Sequence, residues 1–181
     1  MARWRHRRAR DRRSRGAKNA FLNVPYDARY ERLYLAFVAG LSGFGLVPRA
    51  TVEIPGTEAR LQRIFRLLRR CRYSFHDLCR VTLDRTPPRT PRFNMPFELG
   101  LAVAVQISRL RGHDWFVFEA QPHRLNKSLS DLGGTDPYVH GGTPDGVLRA
   151  LTNALVPRRQ RPTVPELRAI YDDLQRAARA F

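Results

Sequence analysis

The chain has very little cysteine and no long apolar segment. Only Cys71 and Cys79 occur among 181 residues, in neither a CxxC pair nor a Cys/His cluster with zinc spacing, which disfavours a disulfide framework and a zinc module. No apolar run approaches the roughly 18 residues of a membrane span, and the basic N-terminus is not followed by the apolar region of a secretory signal. We therefore expect a cytoplasmic protein with reduced thiols, no metal and no membrane partner.

Lysine and acidic residues are scarce beside arginine. The 33 basic residues include only two lysines, Lys18 and Lys127, and they outnumber 16 acidic residues, which gives a net charge of +17. Residues 1–18 hold nine of the basic residues and a single acid, Asp11, so we predict that this segment is a disordered arginine-rich arm. Such an arm can bind nucleic acid weakly and in a salt-dependent manner, or it can be a tail without a specific role.

The remaining chain alternates between short apolar runs and amphipathic segments. Its 181 residues are enough for one domain with a full hydrophobic core. Apolar runs predict strands at 20–25, 46–51, 73–77, 114–119 and 138–140. Helical periodicity predicts helices at 31–41, 57–70, with Thr57 as its N-cap, and at 95–108, 125–132, 143–155 and 165–180.

This alternation predicts a single α/β domain with a doubly wound parallel sheet. Strands that alternate with helices form right-handed βαβ units, and five parallel strands favour the flavodoxin-like order 2-1-3-4-5. We expect the α/β domain to span residues 19–156. A C-terminal linker and helix would then span residues 157–181.

Distinctive polar residues stand at or just after the ends of the predicted strands. Ligands of open α/β sheets bind beyond the carboxyl ends of the strands, so we predict a ligand crevice at that edge of the sheet. The residues placed there are Asn23, Tyr26, Glu53, His76, Asp77 and Glu119.

The segment from Arg92 to Ala102 contains the strongest candidate for chemistry, Glu98. Pro96 is typical of the first residue of a helix, which would place Glu98 at the third helical position. A glutamate there often completes a capping box or complements the helix dipole. Met95 would then be the cap residue, and it lacks a side-chain acceptor for a reciprocal box.

The neighbours of Glu98 on the predicted helix are apolar. Glu98 shares a stripe with Leu101, Ala102 and Val105, so its carboxylate lies either in the core or beside a crevice. Unpaired burial would cost several kcal/mol, which favours the crevice. We expect the positive end of the helix to keep the pKa of this carboxyl low. We also expect Gly100 to let the helix approach the sheet closely.

A carboxylate in a sheltered cleft can stabilise, or attack, an oxocarbenium-like sugar carbon as its base departs. We predict that catalytic role for Glu98. Asp77 and His76 are predicted to assist by binding ribose hydroxyls or relaying a proton. The alternatives are that Asp77 caps the following turn and that His76 is a satisfied buried imidazole.

Several further polar residues are predicted to bind substrate around this carboxylate. Tyr26 and Phe93 are candidates for stacking on a base, although single loop aromatics more often pack against the protein. No glycine-rich phosphate loop of the GxGxxG or Walker type is present. The predicted substrate-binding residues are Asn23, Tyr26, Glu53, Arg92 and Asn94.

The segment around Glu98 resembles two enzyme families. Glu98–Ala102 (ELGLA) is similar to the E-x-G-x-A helix start of nucleoside 2-deoxyribosyltransferase-like enzymes. Its Glu-Leu step is similar to the catalytic-glutamate region of Toll/interleukin-1 receptor (TIR) domains that cleave NAD. In both families the matching glutamate acts on an N-glycosidic bond, and the resemblance implies that role for Glu98.

A longer set of motifs resembles a group of bacterial TIR-like proteins of largely unassigned activity. The motifs are Phe21–Asp27 (FLNVPYD), His76–Leu78 (HDL) and Arg92–Gly100 (RFNMPFELG), and the resemblance covers roughly residues 20–155. It implies that the α/β domain is TIR-like. TIR-like active sites are often completed between subunits, and such bacterial proteins frequently serve antiviral defence. The resemblance therefore implies self-assembly and a defence role.

Three functional hypotheses stay open. The first is an enzyme that cleaves, cyclises or transfers an N-glycosidic bond, with NAD as the leading substrate, deoxyribosyl transfer as a variant and no cofactor required. The second is a TIR-like module that senses a nucleotide, or acts as a scaffold, without chemistry. The third is a nucleic-acid-associated protein that acts through the arginine arm.

Overall fold

A computed structural model describes residues 18–51, 59–83, 85–108, 112–156 and 161–180. The predicted arginine arm, apart from Lys18, lies outside the described residues, as do Glu53 and Thr57. The element bounds given below refer to the described part of the chain.

Five parallel strands form one sheet. They follow the order β2-β1-β3-β4-β5, and every neighbouring pair is parallel. This confirms the predicted doubly wound, flavodoxin-like sheet. The second and fifth strands are shorter than predicted, because β1 pairs with β2 over three positions and β4 pairs with β5 over two. The strands are β1 (Asn19–Asn23), β2 (Val47–Arg49), β3 (Tyr73–Asp77), β4 (Asp114–Glu119) and β5 (Tyr138–Val139).

Six α-helices are present within the described residues. The predicted helix at 125–132 is divided into a short helix and a 3-10 turn at Ser130–Leu132. The division occurs because Leu129, which lies between them, has φ −139° and ψ 65°, outside the helical region. The helices are α1 (Glu31–Gly43), α2 (Arg60–Arg70), α3 (Asn94–Ile107), α4 (Arg124–Ser128), α5 (Pro144–Ala154) and α6 (Val164–Arg179). None of these helices has the length and apolar character that crossing a bilayer requires.

The helices cover both faces of the sheet, and alternate residues of each strand point to opposite faces. Leu22 packs in the largest cluster, with residues of α1, α5 and α6. Phe21 packs on the other face, against residues of α2 and α3. Leu167 and Tyr171 of α6 are buried in the largest cluster, so the C-terminal helix contributes to the main core.

Candidate active site

The start of α3 is fixed to the sheet where the strand order reverses. β1 and β3 are neighbours there, and the chain leaves them toward opposite edges. The side-chain amide of Asn23 donates to the carbonyl oxygen of Met95 at 3.0 Å and lies 3.0 Å from Nδ1 of His76. Because an amide nitrogen carries two hydrogens, Asn23 can serve both acceptors. Buried Asn23 thus joins β1, β3 and the first turn of α3.

His76 is a buried, neutral imidazole. Burial and the nearby His113 lower its pKa to about 3. Its Nδ1 faces the Asn23 amide, so the ring proton lies on Nε2, which has no hydrogen-bond partner within the described residues. The position of His76 therefore agrees with the alternative that it is a buried imidazole. Its contact with the Asn23 side chain links it to the start of α3.

Glu98 lies in the second turn of α3. The helix begins at Asn94, two residues before Pro96, so the expected third position for Glu98 is wrong and the residue is the fifth of the helix. The reason is that Asn94 and Met95 adopt helical geometry, and Phe93 is the N-cap. Glu98 is therefore farther from the unpaired amides of the helix start, where the dipole acts most strongly.

The Glu98 side chain is 5% exposed, although it carries a carboxyl group. Burial raises its pKa to about 7, and the positive charge of Arg60 acts in the opposite direction. The expectation of a low pKa is thus wrong, because the loss of hydration outweighs the charge of Arg60. Close to neutral pH, this carboxyl exists in both protonated and ionised forms.

Tyr26 lies within electrostatic reach of Glu98. Its hydroxyl donates to the carbonyl oxygen of Leu22 at 3.1 Å, while 45% of the residue stays exposed. Burial of the hydroxyl raises the pKa of Tyr26 to about 12, and the charge of Glu98 contributes in the same direction. An open pocket of about 240 Å³ is lined by Tyr26 and by Pro25, Asp27, Ala28, Glu31 and Tyr34. The predicted substrate residue Tyr26 therefore lies at an accessible surface, within electrostatic reach of the Glu98 carboxyl.

Two arginines flank Asp27 at the same edge of the sheet. Arg80 follows β3 and Arg92 precedes α3, and each places a guanidinium nitrogen 3.9 Å from a carboxylate oxygen of Asp27. Asp27 Oδ1 is buried without a hydrogen-bond partner within the described residues. The predicted residues Arg92 and Asn94 are both exposed here. Sequence reasoning missed Arg80, although its position just after a strand was a usable signal.

Asp77 belongs to a separate buried network on the opposite face of the sheet. It accepts hydrogen bonds from the Tyr30 hydroxyl and from the Cys79 amide at 2.9 Å. His140 Nε2 lies 3.2 Å from Asp77 Oδ2, in a contact too poorly aligned to be a full hydrogen bond. Because successive strand residues alternate, His76 points toward α3 and Asp77 toward α1. The structure thus does not bring Asp77 to the side of the sheet that carries Glu98.

The Asp77 network contains three side chains whose ligand atoms lie close together, and two of those atoms carry protons. Side-chain atoms of Asp77, Cys79 and His140 lie within 4.8 Å of one another. The Gly142 amide donates to His140 Nδ1 at 3.0 Å, so the ring proton occupies Nε2, the atom that faces Asp77. Burial and the nearby Asp77 raise the pKa of the Cys79 thiol well above its usual range. In the metal-free protein, His140 Nε2 and the Cys79 sulfur therefore both carry protons, which a metal ion would have to displace.

Glu119, at the end of β4, is also buried. Its Oε2 lies 3.7 Å from Arg124 Nη1 and has no hydrogen-bond partner within the described part of the chain. Burial raises its pKa, and Arg124 opposes that rise. Arg124 also donates to the carbonyl oxygens of Cys79 and Val81, at 2.8 and 2.6 Å. At the end of β4, Glu119 and Arg124 therefore contact other groups of the protein itself.

Gly100 does not have the role expected for it. It is exposed, and a Cβ placed on it would have no atom within 4 Å. The expectation of a close approach to the sheet is wrong because Gly100 lies on the outer side of α3, whereas Glu98, Leu99 and Ala102 lie on the inner side.

Comparison with known proteins does not assign this chain to a family. No protein-family model matches it. No curated protein matches it either. Its function must therefore be inferred from its side chains and their geometry.

Proposed function

We propose that this protein cleaves or transfers the N-glycosidic bond of a nucleotide, with Glu98 as the catalytic carboxylate and NAD as the leading substrate. The observation that carries the proposal is the buried carboxyl of Glu98, whose pKa is raised to about 7 beside the exposed Tyr26. A buried carboxyl group whose pKa is raised by the loss of hydration is typical of a functional site. The resemblance to TIR-like and deoxyribosyltransferase-like motifs supports the same bond type.

In the proposed reaction, the bond between the sugar carbon and the ring nitrogen of the base breaks, and the base leaves with the bonding electron pair. The Glu98 carboxylate stabilises the positive charge at the sugar carbon, or bonds to it. A water oxygen or another acceptor then bonds to that carbon and releases its proton, and any bond between the carbon and Glu98 breaks, which restores the carboxylate. Electrostatic stabilisation of this kind is strongest where water is excluded, which fits a nearly buried carboxyl.

The other residues have supporting roles in this proposal. Arg80 and Arg92 supply guanidinium groups for the phosphates of a nucleotide, since arginine forks suit phosphate oxygens. Tyr26 offers a partly exposed ring face to the base. Asn23 and His76 are positioning residues, because both are buried and act on α3 through the Met95 carbonyl.

The test is incubation of the full chain with NAD and a panel of nucleosides and nucleotides, followed by chromatography and mass spectrometry of the products. Glu98→Gln should lower product formation about 100-fold or more, because the amide has no negative charge to stabilise the sugar carbon. Glu166→Gln is the matched control, since Glu166 completes a capping box at the start of α6 that glutamine also supports. Its activity should equal that of the parent.

The pH profile gives a second measure of the same role. Because the carboxylate form acts, kcat/KM of the parent should rise with pH across the pKa of Glu98, about 7. Equal turnover by the parent and Glu98→Gln would overturn the proposal. Thermal stabilisation by a nucleotide without any product would favour the nucleotide-sensing hypothesis instead.

A further inference from the structure

Helix α2 has an unusually one-sided charge. Its eleven residues contain no acid and five arginines: Arg60, Arg63, Arg66, Arg69 and Arg70. Ile64, Leu67 and Leu68 are buried and hold the helix against the sheet. Arg66, Arg69 and Arg70 are exposed. The helix therefore presents a dense positive face to its surroundings.

An aromatic ring lies within this positive face. Phe65 is 37% exposed, and the Arg69 guanidinium carbon lies 5.9 Å from the centre of its ring. An open depression of about 520 Å³ is bordered by Phe65, Arg66, Arg69, Arg70 and Gln62. Arginine together with an accessible aromatic face is the combination that binds phosphates and stacks on bases in nucleic-acid grooves.

We propose that the outer face of α2 binds the phosphodiester backbone of nucleic acid. Each guanidinium can take a phosphate oxygen pair, and Phe65 offers its face to a base. An acidic protein would satisfy the charge but would not use the ring beside Arg69. Of the α2 arginines, only Arg60 acts on the Glu98 carboxyl, and the proposed surface is formed by Arg66, Arg69 and Arg70, so this inference does not depend on the proposed enzymatic function.

The experiment measures binding of the full chain to a short fluorescent oligonucleotide by anisotropy, in single-stranded and duplex form, between about 50 and 200 mM salt. Two triple variants remove the same charge from opposite faces of the domain. The α2 variant is Arg66→Gln, Arg69→Gln and Arg70→Gln, and the control, on α5 and α6, is Arg149→Gln, Arg176→Gln and Arg179→Gln.

The α2 variant should weaken binding about tenfold or more near 100 mM salt. For a single strand, it should also reduce the slope of log affinity against log salt by about 2, because each lost phosphate contact contributes about 0.7. The control should change both quantities by less than half as much. Circular dichroism checks that each variant is folded. Should the triple variant unfold, Arg69→Gln alone should give about a third of the change in slope.

Three outcomes would overturn the proposal. The first is no binding by the parent protein. The second is equal loss in the α2 variant and the control, which would indicate a general effect of net charge. The third is α2-dependent binding to phosphatidylserine vesicles with no α2 effect on the oligonucleotide, which would assign the face to a lipid surface.

Discussion

Replacing Glu98 by glutamine should stabilise the fold in a pH-dependent way. The pKa of this carboxyl is about 7 in the folded protein, whereas the ordinary pKa of a glutamate side chain in water is 4.5. Folding therefore favours the protonated form, and the parent loses stability as pH rises from about 4.5 to 7, with the full cost present above 7. Glutamine has the shape of the protonated acid but no charge, so it avoids this cost.

The magnitude follows from the two pKa values. Their separation corresponds to about 3 kcal/mol of unfolding free energy at alkaline pH. Hydration of the partly accessible carboxylate lowers that figure, so we expect a gain of about 1–3 kcal/mol near pH 8 and less than about 0.5 kcal/mol near pH 4.5. For a chain of this size, a gain of 1–3 kcal/mol raises the melting temperature by about 3–10 °C.

Differential scanning calorimetry of the parent and Glu98→Gln at both pH values measures this difference directly. Asp136→Asn, in an exposed loop, is the matched control and should leave the melting temperature unchanged at both. A gain that is the same at both pH values, or a Glu98→Gln variant that is less stable near pH 8, would refute the reasoning. Either result would mean that the carboxylate is well solvated or paired in the folded state.

Three further substitutions and one chemical modification test the structure. Tyr30→Phe removes a hydrogen-bond donor to buried Asp77 and should lower the free energy of unfolding, measured in urea, by about 1–3 kcal/mol. An unchanged free energy of unfolding would mean that this hydrogen bond is absent. Gly146→Ala should destabilise the fold by about 1–3 kcal/mol, because its Cβ would collide with the carbonyl oxygen of His140. Gly100→Ala should stabilise the fold by up to about 1 kcal/mol, because a Cβ there meets no atom, and the reverse order would contradict the packing. Cys79 should react slowly with iodoacetamide at neutral pH, because burial keeps its thiol protonated, and rapid labelling in the native state would show otherwise.

The predicted strands and helices were largely recovered because their apolar patterns are local. The run at Tyr73–Asp77 predicts the third strand at its full length. The order of the sheet also followed, because the alternation of strands and helices leaves few topologies. The length of the edge strand predicted at 46–51 was overestimated, because an apolar run does not show how many of its residues pair with a neighbouring strand.

The site was recovered less completely, for physical reasons. Glu98 was recognised as a carboxylate in an apolar stripe, but its pKa was misjudged, because desolvation depends on every atom packed around it. The link from Asn23 to Met95 spans 72 residues of sequence, and the contact of Asp77 with His140 spans 63. No local pattern encodes such pairs.

The sequence by itself determined the fold class, the positions of most elements and the edge of the sheet where polar residues gather, because these depend on periodicity along the chain. The tertiary structure alone decided that His76 and Asp77 face opposite sides of the sheet and that Glu98 is almost fully buried. It also decided that Arg80 and Arg92 both lie beside Asp27. Those properties arise from groups brought together by folding, and the free energy of a charge depends on those groups far more than on its neighbours in sequence.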